Sequence, residues 1–360
     1  MVRRDADTLL AHGSETGHAM TMPIQRLLRS PATGFGDHVL RGIGQVMLQN
    51  SPVSGLLFLI GIFVSSWQAG LHALFGTVVA TATAMLLGAP GRSVGSGLYG
   101  LNGALTGLGL ATFLNNDVTL VIYVAVAAMS VTVVMAAIQD AVGANGYPLT
   151  GPFVLTTWIF IGAVYAYAGV EGASALGSPH LPKGAPAVHV PFGASDIVTA
   201  ILNGVAQVML QQNAWTGAIF LVGIAIGSRI CAAAALLGST VAVALAWSLG
   251  AAPDLIRSGV YGFNAALTAM AIGGVFFVLR PTTIVFSIVA VCFSTILYGS
   301  MTAILSPIGL PALTAPFVVT TWLCLLSRAS LPRLRDLSPT DPATPEENLR
   351  AARRARSTGK

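Results

Sequence analysis

Two short stretches hold the polar chemistry most in need of explanation. One runs Tyr147-Pro148-Leu149-Thr150-Gly151-Pro152-Phe153, and the other Pro311-Ala312-Leu313-Thr314-Ala315-Pro316-Phe317. Each then continues into a Thr-Thr-Trp step, Thr156-Thr157-Trp158 and Thr320-Thr321-Trp322. A threonine hydroxyl both donates and accepts a hydrogen bond, which suits recognition of a neutral polar solute. Proline lacks an N–H and blocks the preceding helical turn, so each stretch predicts irregular, underbonded backbone just ahead of a helix. Within a bilayer such backbone is tolerated only where it is buried in protein or lines a cavity. Thr150 and Thr314 are therefore expected to face one another across a solute path. The plainer alternative is that each hydroxyl caps the helix that follows it.

The duplication extends well beyond these stretches. Gly42-Ile-Gly-Gln45-Val46-Met-Leu48-Gln49 matches Gly204-Val-Ala-Gln207-Val208-Met-Leu210-Gln211 at an offset of 162 residues. The same offset pairs Gly55, Phe58 and Gly61 with Gly217, Phe220 and Gly223. It also pairs Tyr99, Asn102 and Thr106 with Tyr261, Asn264 and Thr268. Every matched polar residue is uncharged, whereas ion-coupled carriers and proton pumps usually keep intramembrane ionisable groups. A cation would require carboxylates or a ring of carbonyls. Asn102 and Asn264 either lie beside the path or tie the kinked backbone together. Tyr99 and Tyr261 read as structural. Gly103-x-x-x-Gly107 and Ala265-x-x-x-Ala269 are small-residue faces for close helix packing.

Composition sets the class. Hydrophobic residues make up 54% of the chain, charged residues 9%, and the mean hydropathy is +0.76. A soluble domain carries roughly 25% charged residues, so this is an all-α polytopic membrane protein. Forty glycines suit close packing of membrane helices. The three cysteines have no metal-like spacing, and no metal or cofactor is expected. The net charge of +5 lies largely in the tails, where it bears on topology and not on nucleic acid. With no cluster of acid, His or Cys in the apolar segments, and His72 the one histidine near them, neither an enzyme nor a scaffold is favoured.

Positioning these residues requires two sets of helices. Apolar stretches at about 53–68, 70–89, 97–115, 118–138 and 151–170 make five spans in one half. Stretches at about 215–229, 231–250, 259–279, 281–303 and 315–328 make five in the other. A shorter mixed segment precedes each set, at about 36–50 and 198–213, and reads as a half-membrane helix. An odd number of spans per repeat forces opposite orientations, so the repeats are inverted, with the path at their interface. The chain thus divides into a polar tail (1–35), a first repeat (36–170), an external linker (171–196), a second repeat (197–328) and a basic cytoplasmic tail (329–360). Residues 1–22 contain no apolar core, which argues against a conventional cleaved signal peptide. Arginine-rich tails, with Arg92, Arg229 and Arg280, place both termini in the cytoplasm, the linker holding only Lys183. Arg257 dissents. In the last tail Thr344-Pro-Glu-Glu347 is a capping box that would start a solvated helix bearing Arg350, Arg353, Arg354 and Arg356.

Across residues 36–328 the doubled Pro/Thr/Pro-Phe stretch, the Gly-x-x-Gln-Val-Met-Leu-Gln blocks and the Tyr-Gly-[Leu/Phe]-Asn blocks resemble the urea transporter family. The resemblance implies a channel-like facilitator in the plasma membrane that passes urea down its gradient, and a homotrimer with one pore per subunit. It implies a filter with Thr150 and Thr314 as its hydroxyls and Gln45 and Gln207 as half-helix polar groups beside Val46 and Val208. The walls would be Leu48, Leu101 and Leu105 in one half and Leu210, Phe263 and Leu267 in the other, with Asn102 and Asn264 adjacent. The chain departs from the pattern of bacterial members in three ways. Its walls are mostly leucine where those are often Phe, Gln207 stands where Glu is common, and Tyr147 replaces the leading proline. Fewer rings and one fewer carboxylate keep two alternatives open: a channel for another small neutral solute (ammonia, water or a short amide), and a sodium-coupled carrier. Half-helices with positive ends toward the centre would repel cations.

Overall fold

The computed structural model describes residues 34–142, 147–167, 169–181, 193–328, 330 and 344–357. Residues 1–22 and Lys183 lie outside these. The first repeat folds as α1 (Phe35–Gln45), α2 (Pro52–Ser65), α3 (Trp67–Leu86), α4 (Gly91–Gly95), α5 (Leu98–Phe113), α6 (Val118–Val142) and α7 (Gly151–Val164). The second folds as α8 (Ala194–Ala206), α9 (Ala214–Gly227), α10 (Arg229–Ser248), α11 (Pro253–Arg257), α12 (Gly262–Met270), α13 (Pro281–Leu305) and α14 (Ala315–Ser327), with α15 (Pro345–Ser357) in the tail. Among the described residues no strand forms beyond an isolated bridge between Leu114 and Gly172.

Helix for helix, the second set repeats the first. α2 and α9 each have 14 residues, α3 and α10 each 20, and α6 and α13 each 25. Two features were not anticipated: the five-residue helices α4 and α11, and a π turn over Ala271–Val275 that extends α12 where α5 stays regular. α3, α6, α10 and the run Pro281–Ile308 are each long and apolar enough to cross a bilayer. Ala194–Met209 and Ala214–Gly227 pass the same test as a pair bent by 71°. The chain is a multi-pass helical membrane protein. Among the described residues, length and composition alone account for four crossings, or five with the bent pair.

Local capping explains the paired breaks. Ser66 ends α2 and also caps α3, accepting from Ala69 N–H at 3.2 Å; Ser228 does the same between α9 and α10, accepting from Cys231 N–H at 3.1 Å. One extended serine thus joins two helices without a loop. The helices then pack through small residues. Gly97 and Gly259, at φ +77° and +85°, lie against Arg41–Gly42 and Asn203–Gly204, where any side chain would collide with backbone. Gly76 meets Gly103 O and Gly238 meets Ala265 O, which gives the small-residue faces their partners.

Two arginines of the described part are paired with carboxylates. Arg41, buried in α1, pairs with Asp37 at 2.6 Å and donates to Asn50 O at 3.1 Å. Arg257 pairs with Asp196 at 2.8 Å and Asp254 at 2.7 Å, so its dissent from the charge rule is offset by two carboxylates. In the tail the capping box forms, with Thr344 N–H donating to Glu347 Oε2 at 2.9 Å. Its helix is not simply solvated, however. Glu346 Oε1 accepts from Ser228 Oγ at 3.0 Å and Ile230 N–H at 2.9 Å, seating a carboxylate on the positive end of α10.

Candidate functional site

Thr150 and Thr314 are the N-cap residues of α7 and α14, yet neither hydroxyl makes the capping bond. They bond to each other, Oγ1 to Oγ1 at 2.7 Å, and both are 3% exposed. The capping work falls to asparagines some fifty residues away. Asn102 Oδ1 accepts from Phe153 N–H at 3.0 Å, and Asn264 Oδ1 accepts from Phe317 N–H at 3.0 Å. The same amides donate to Leu149 O at 3.3 Å and Leu313 O at 3.1 Å. Both leucines are left-handed, at φ +54° and +50°, a conformation costing a branched residue about 1–2 kcal/mol. Each asparagine therefore caps a helix and clamps a strained turn, which frees the threonine hydroxyls. Of the two roles open to Asn102 and Asn264, the backbone tie is the one seen. Trp158 Nε1–H donates to Pro311 O and Trp322 Nε1–H to Tyr147 O, both at 2.8 Å, so each repeat's tryptophan holds the other repeat's turn.

α1 and α8 also end in matched left-handed turns. Leu48 and Leu210 lie at φ +58° and +55°, and the buried Gln49 and Gln211 amides each donate 2.9 Å to the carbonyl two residues back, on Met47 and Met209. Gln207 donates from Nε2 to Ser258 O at 3.1 Å, which aims its amide. The termini brought to Gln45 and Gln207 are C-terminal ends, and so carry negative dipole ends. The positive ends at the threonine pair belong to α7 and α14, which corrects the assignment of that role to the half-helices.

A cavity of about 320 Å³ opens over Thr314. Gln207, Val208, Leu210 and Phe263 line it with Phe113, Phe153 and His180, and none of its lining residues is Asp, Glu, Lys or Arg. Five of the anticipated residues thus share one chamber, and Thr150 bonds to its floor. Gln45, Val46, Leu48, Leu101, Leu105 and Leu267 do not line it. Val46, Leu101, Leu105 and Leu267 instead join Val208 and Phe263 in one buried apolar cluster, against which Leu48 and Leu210 pack. Gln45, half-buried at the end of α1, belongs to neither group.

Sequence reasoning overlooked part of the lining. Tyr298, Thr302 and Ser306 face the cavity, and the Tyr298 ring stands edge-on to Phe263 at 5.6 Å. Phe263 is therefore not an isolated ring. The signal was present as Ser294, Tyr298, Thr302 and Ser306 at four-residue intervals, among other hydroxyls such as Thr295 and Ser300. Linker residues Ala175, Leu176 and Gly177 also line the cavity; Tyr165 holds this segment, its hydroxyl lying 3.2 Å from Gly177 O and 3.1 Å from Gly309 O.

Chemically, the threonine pair uses one donor and one acceptor internally. One hydroxyl hydrogen and several lone pairs remain for a solute. That arrangement suits a neutral molecule with both N–H and C=O groups.

A family model described as "UT: Urea transporter" matches residues 37–329. The chain belongs to the urea transporter family. Among its relatives, "Urea transporter 1" of Capra hircus is 30% identical over 329 residues, covering 88% of this chain and 83% of the relative. "Urea transporter 1" of Rattus norvegicus is 31% identical over 324 residues, covering 87% and 82% respectively. Membership of the urea transporter family makes the chain a transporter and not an enzyme. The family match takes in both threonine turns and the linker but stops short of α15, so the Glu346 contact lies outside it.

Proposed function

We propose that the chain is a channel for urea, passing it down its gradient through a narrow path between two inverted repeats. Each repeat would supply five crossings and one half-membrane helix, with ten crossings in all and both termini in the cytoplasm. Short helices such as α7 and α14 would complete their crossings through their flanking turns. The subunit would assemble as a homotrimer in the plasma membrane, one pore per subunit. Supporting this are the family membership and the recurrence of the tryptophan ties and the asparagine clamps at their repeat mates.

The observation that carries the reading is the buried Thr150–Thr314 pair beneath an uncharged chamber. Urea would slide edgewise past Leu48, Leu101, Leu105, Leu210, Leu267 and Phe263, with Val46 and Val208 beside it. Gln45, Gln207, Thr150 and Thr314 would take its N–H groups in turn. Burying an amide without such partners costs about 1–3 kcal/mol per hydrogen bond, so pre-formed acceptors lower the barrier. Binding must remain weak for rapid flux. The positive ends of α7 and α14 would discourage cations. Stopped-flow flux in proteoliposomes tests this, with the expectation of rapid, gradient-driven urea movement independent of sodium. Urea flux no faster than through protein-free vesicles would end the reading.

The leucine walls favour a second reading, a pore for another small neutral solute such as ammonia, water or a short amide. Permeability to urea, ammonia and water compared in the same vesicles separates the two.

A further inference from the structure

α13 carries a polar residue every fourth position along one face: Ser294, Tyr298, Thr302 and Ser306, the last in the turn that follows it. At a rise of 1.5 Å per residue, successive groups stand about 6 Å apart along the axis, each turned about 40° from the one before. The lowest is fixed. Ser294 is fully buried and accepts from Thr268 on α12 at 3.2 Å, which turns the face toward the helix bearing Phe263 and Leu267. The other three all line the cavity above Thr314. Tyr298 is wedged between Phe263 and Tyr261, with ring centroids at 5.6 and 5.5 Å, so the ring has little freedom. The Thr302 hydroxyl lies beside that of Tyr298, close enough to interact with it, and its buried oxygen finds no partner of good hydrogen-bond geometry among the described residues. A buried hydroxyl left unpaired beside a cavity is costly unless something in the cavity satisfies it. The residues at matching places in α6 include Met135 and Gln139, so the row of hydroxyls has no copy in the first repeat.

We propose that Tyr298, Thr302 and Ser306 form a hydroxyl ladder that hands a planar amide from the linker side of the cavity down to Thr314. Tyr298 is its lowest station, packing its ring beside Phe263 and offering its hydroxyl with that of Thr302. The ladder rests on the reading of the chain as a urea channel and adds a loading site to it. It also sets a second ring beside that of Phe263. A urea molecule has four N–H donors and one acceptor, so paired hydroxyls engage it without any charge.

The test is the concentration dependence of urea flux in proteoliposomes for wild type, Tyr298→Phe, Thr302→Val and Thr302→Ser. Tyr298→Phe keeps the ring, and Thr302→Ser keeps the hydroxyl while losing only one methyl group. The ladder predicts that Tyr298→Phe and Thr302→Val raise the half-saturating urea concentration about three- to tenfold, the scale expected for one lost hydrogen bond. Thr302→Ser should match wild type. Should the first two variants saturate as wild type does, or should Thr302→Ser shift as far as Thr302→Val, the ladder is wrong while the channel stands. A wild-type protein that conducts no urea would remove both.

Discussion

The ring of Phe58 lies edge-on to that of Phe220 at 5.4 Å, and each ring covers a glycine on its partner's helix. A Cβ on Gly61 would come within 2.7 Å of the Phe220 ring, and one on Gly223 within 2.6 Å of the Phe58 ring. α2 and α9 are thus locked together by two copies of one contact, which is why these glycines and phenylalanines recur at a fixed spacing. Both side chains lie in the same cluster as the candidate filter walls.

This lock gives the first prediction. Gly61→Leu and Gly223→Leu should destabilise by similar amounts, about 1–3 kcal/mol for overpacking a fitted core. Thermal unfolding in detergent reads this as comparable drops in midpoint temperature. A tolerated leucine at either site would mean that the helices are not held by this contact.

A second prediction separates clamp from filter. Asn264→Ala orphans both Phe317 N–H and Leu313 O, each a buried group whose loss of a partner costs about 1–3 kcal/mol. The variant should lose thermal stability as well as urea flux, and Asn102→Ala should do the same. Full stability with altered solute preference would instead make these amides solute ligands.

A third prediction concerns α15. Glu346→Ala removes the acceptor for Ser228 Oγ and Ile230 N–H, so α15 should come away from α10. Limited proteolysis should cut the tail several-fold faster in the variant, with urea flux unchanged. Equal cutting rates in variant and wild type would show that the contact does not hold the helix.

Much of this was legible before the fold was known, because it is local or duplicated. Apolar length set the long helices, and the doubled Leu-Thr-x-Pro-Phe stretch singled out Thr150 and Thr314. What stayed hidden depends on long-range partners. That Asn102 caps a helix beginning at Gly151 cannot be read from either segment alone, nor can the seating of Glu346 on Ser228. The ladder on α13 escaped notice because weight was given to residues matched between repeats, and Tyr298 has none. The dipole assignment went astray because the half-helices were given the wrong end at the centre.

The most direct measurement is urea flux through Thr314→Val in proteoliposomes, alongside Thr150→Val and the thermal stability of both. Valine keeps the shape and removes the hydroxyl, leaving its partner oxygen without its 2.7 Å bond. The account predicts urea flux reduced at least about tenfold, the scale of one buried hydrogen bond, with both variants folded and their stability lowered by no more than the about 1–3 kcal/mol of one orphaned buried hydroxyl. Wild-type flux through Thr314→Val would contradict it.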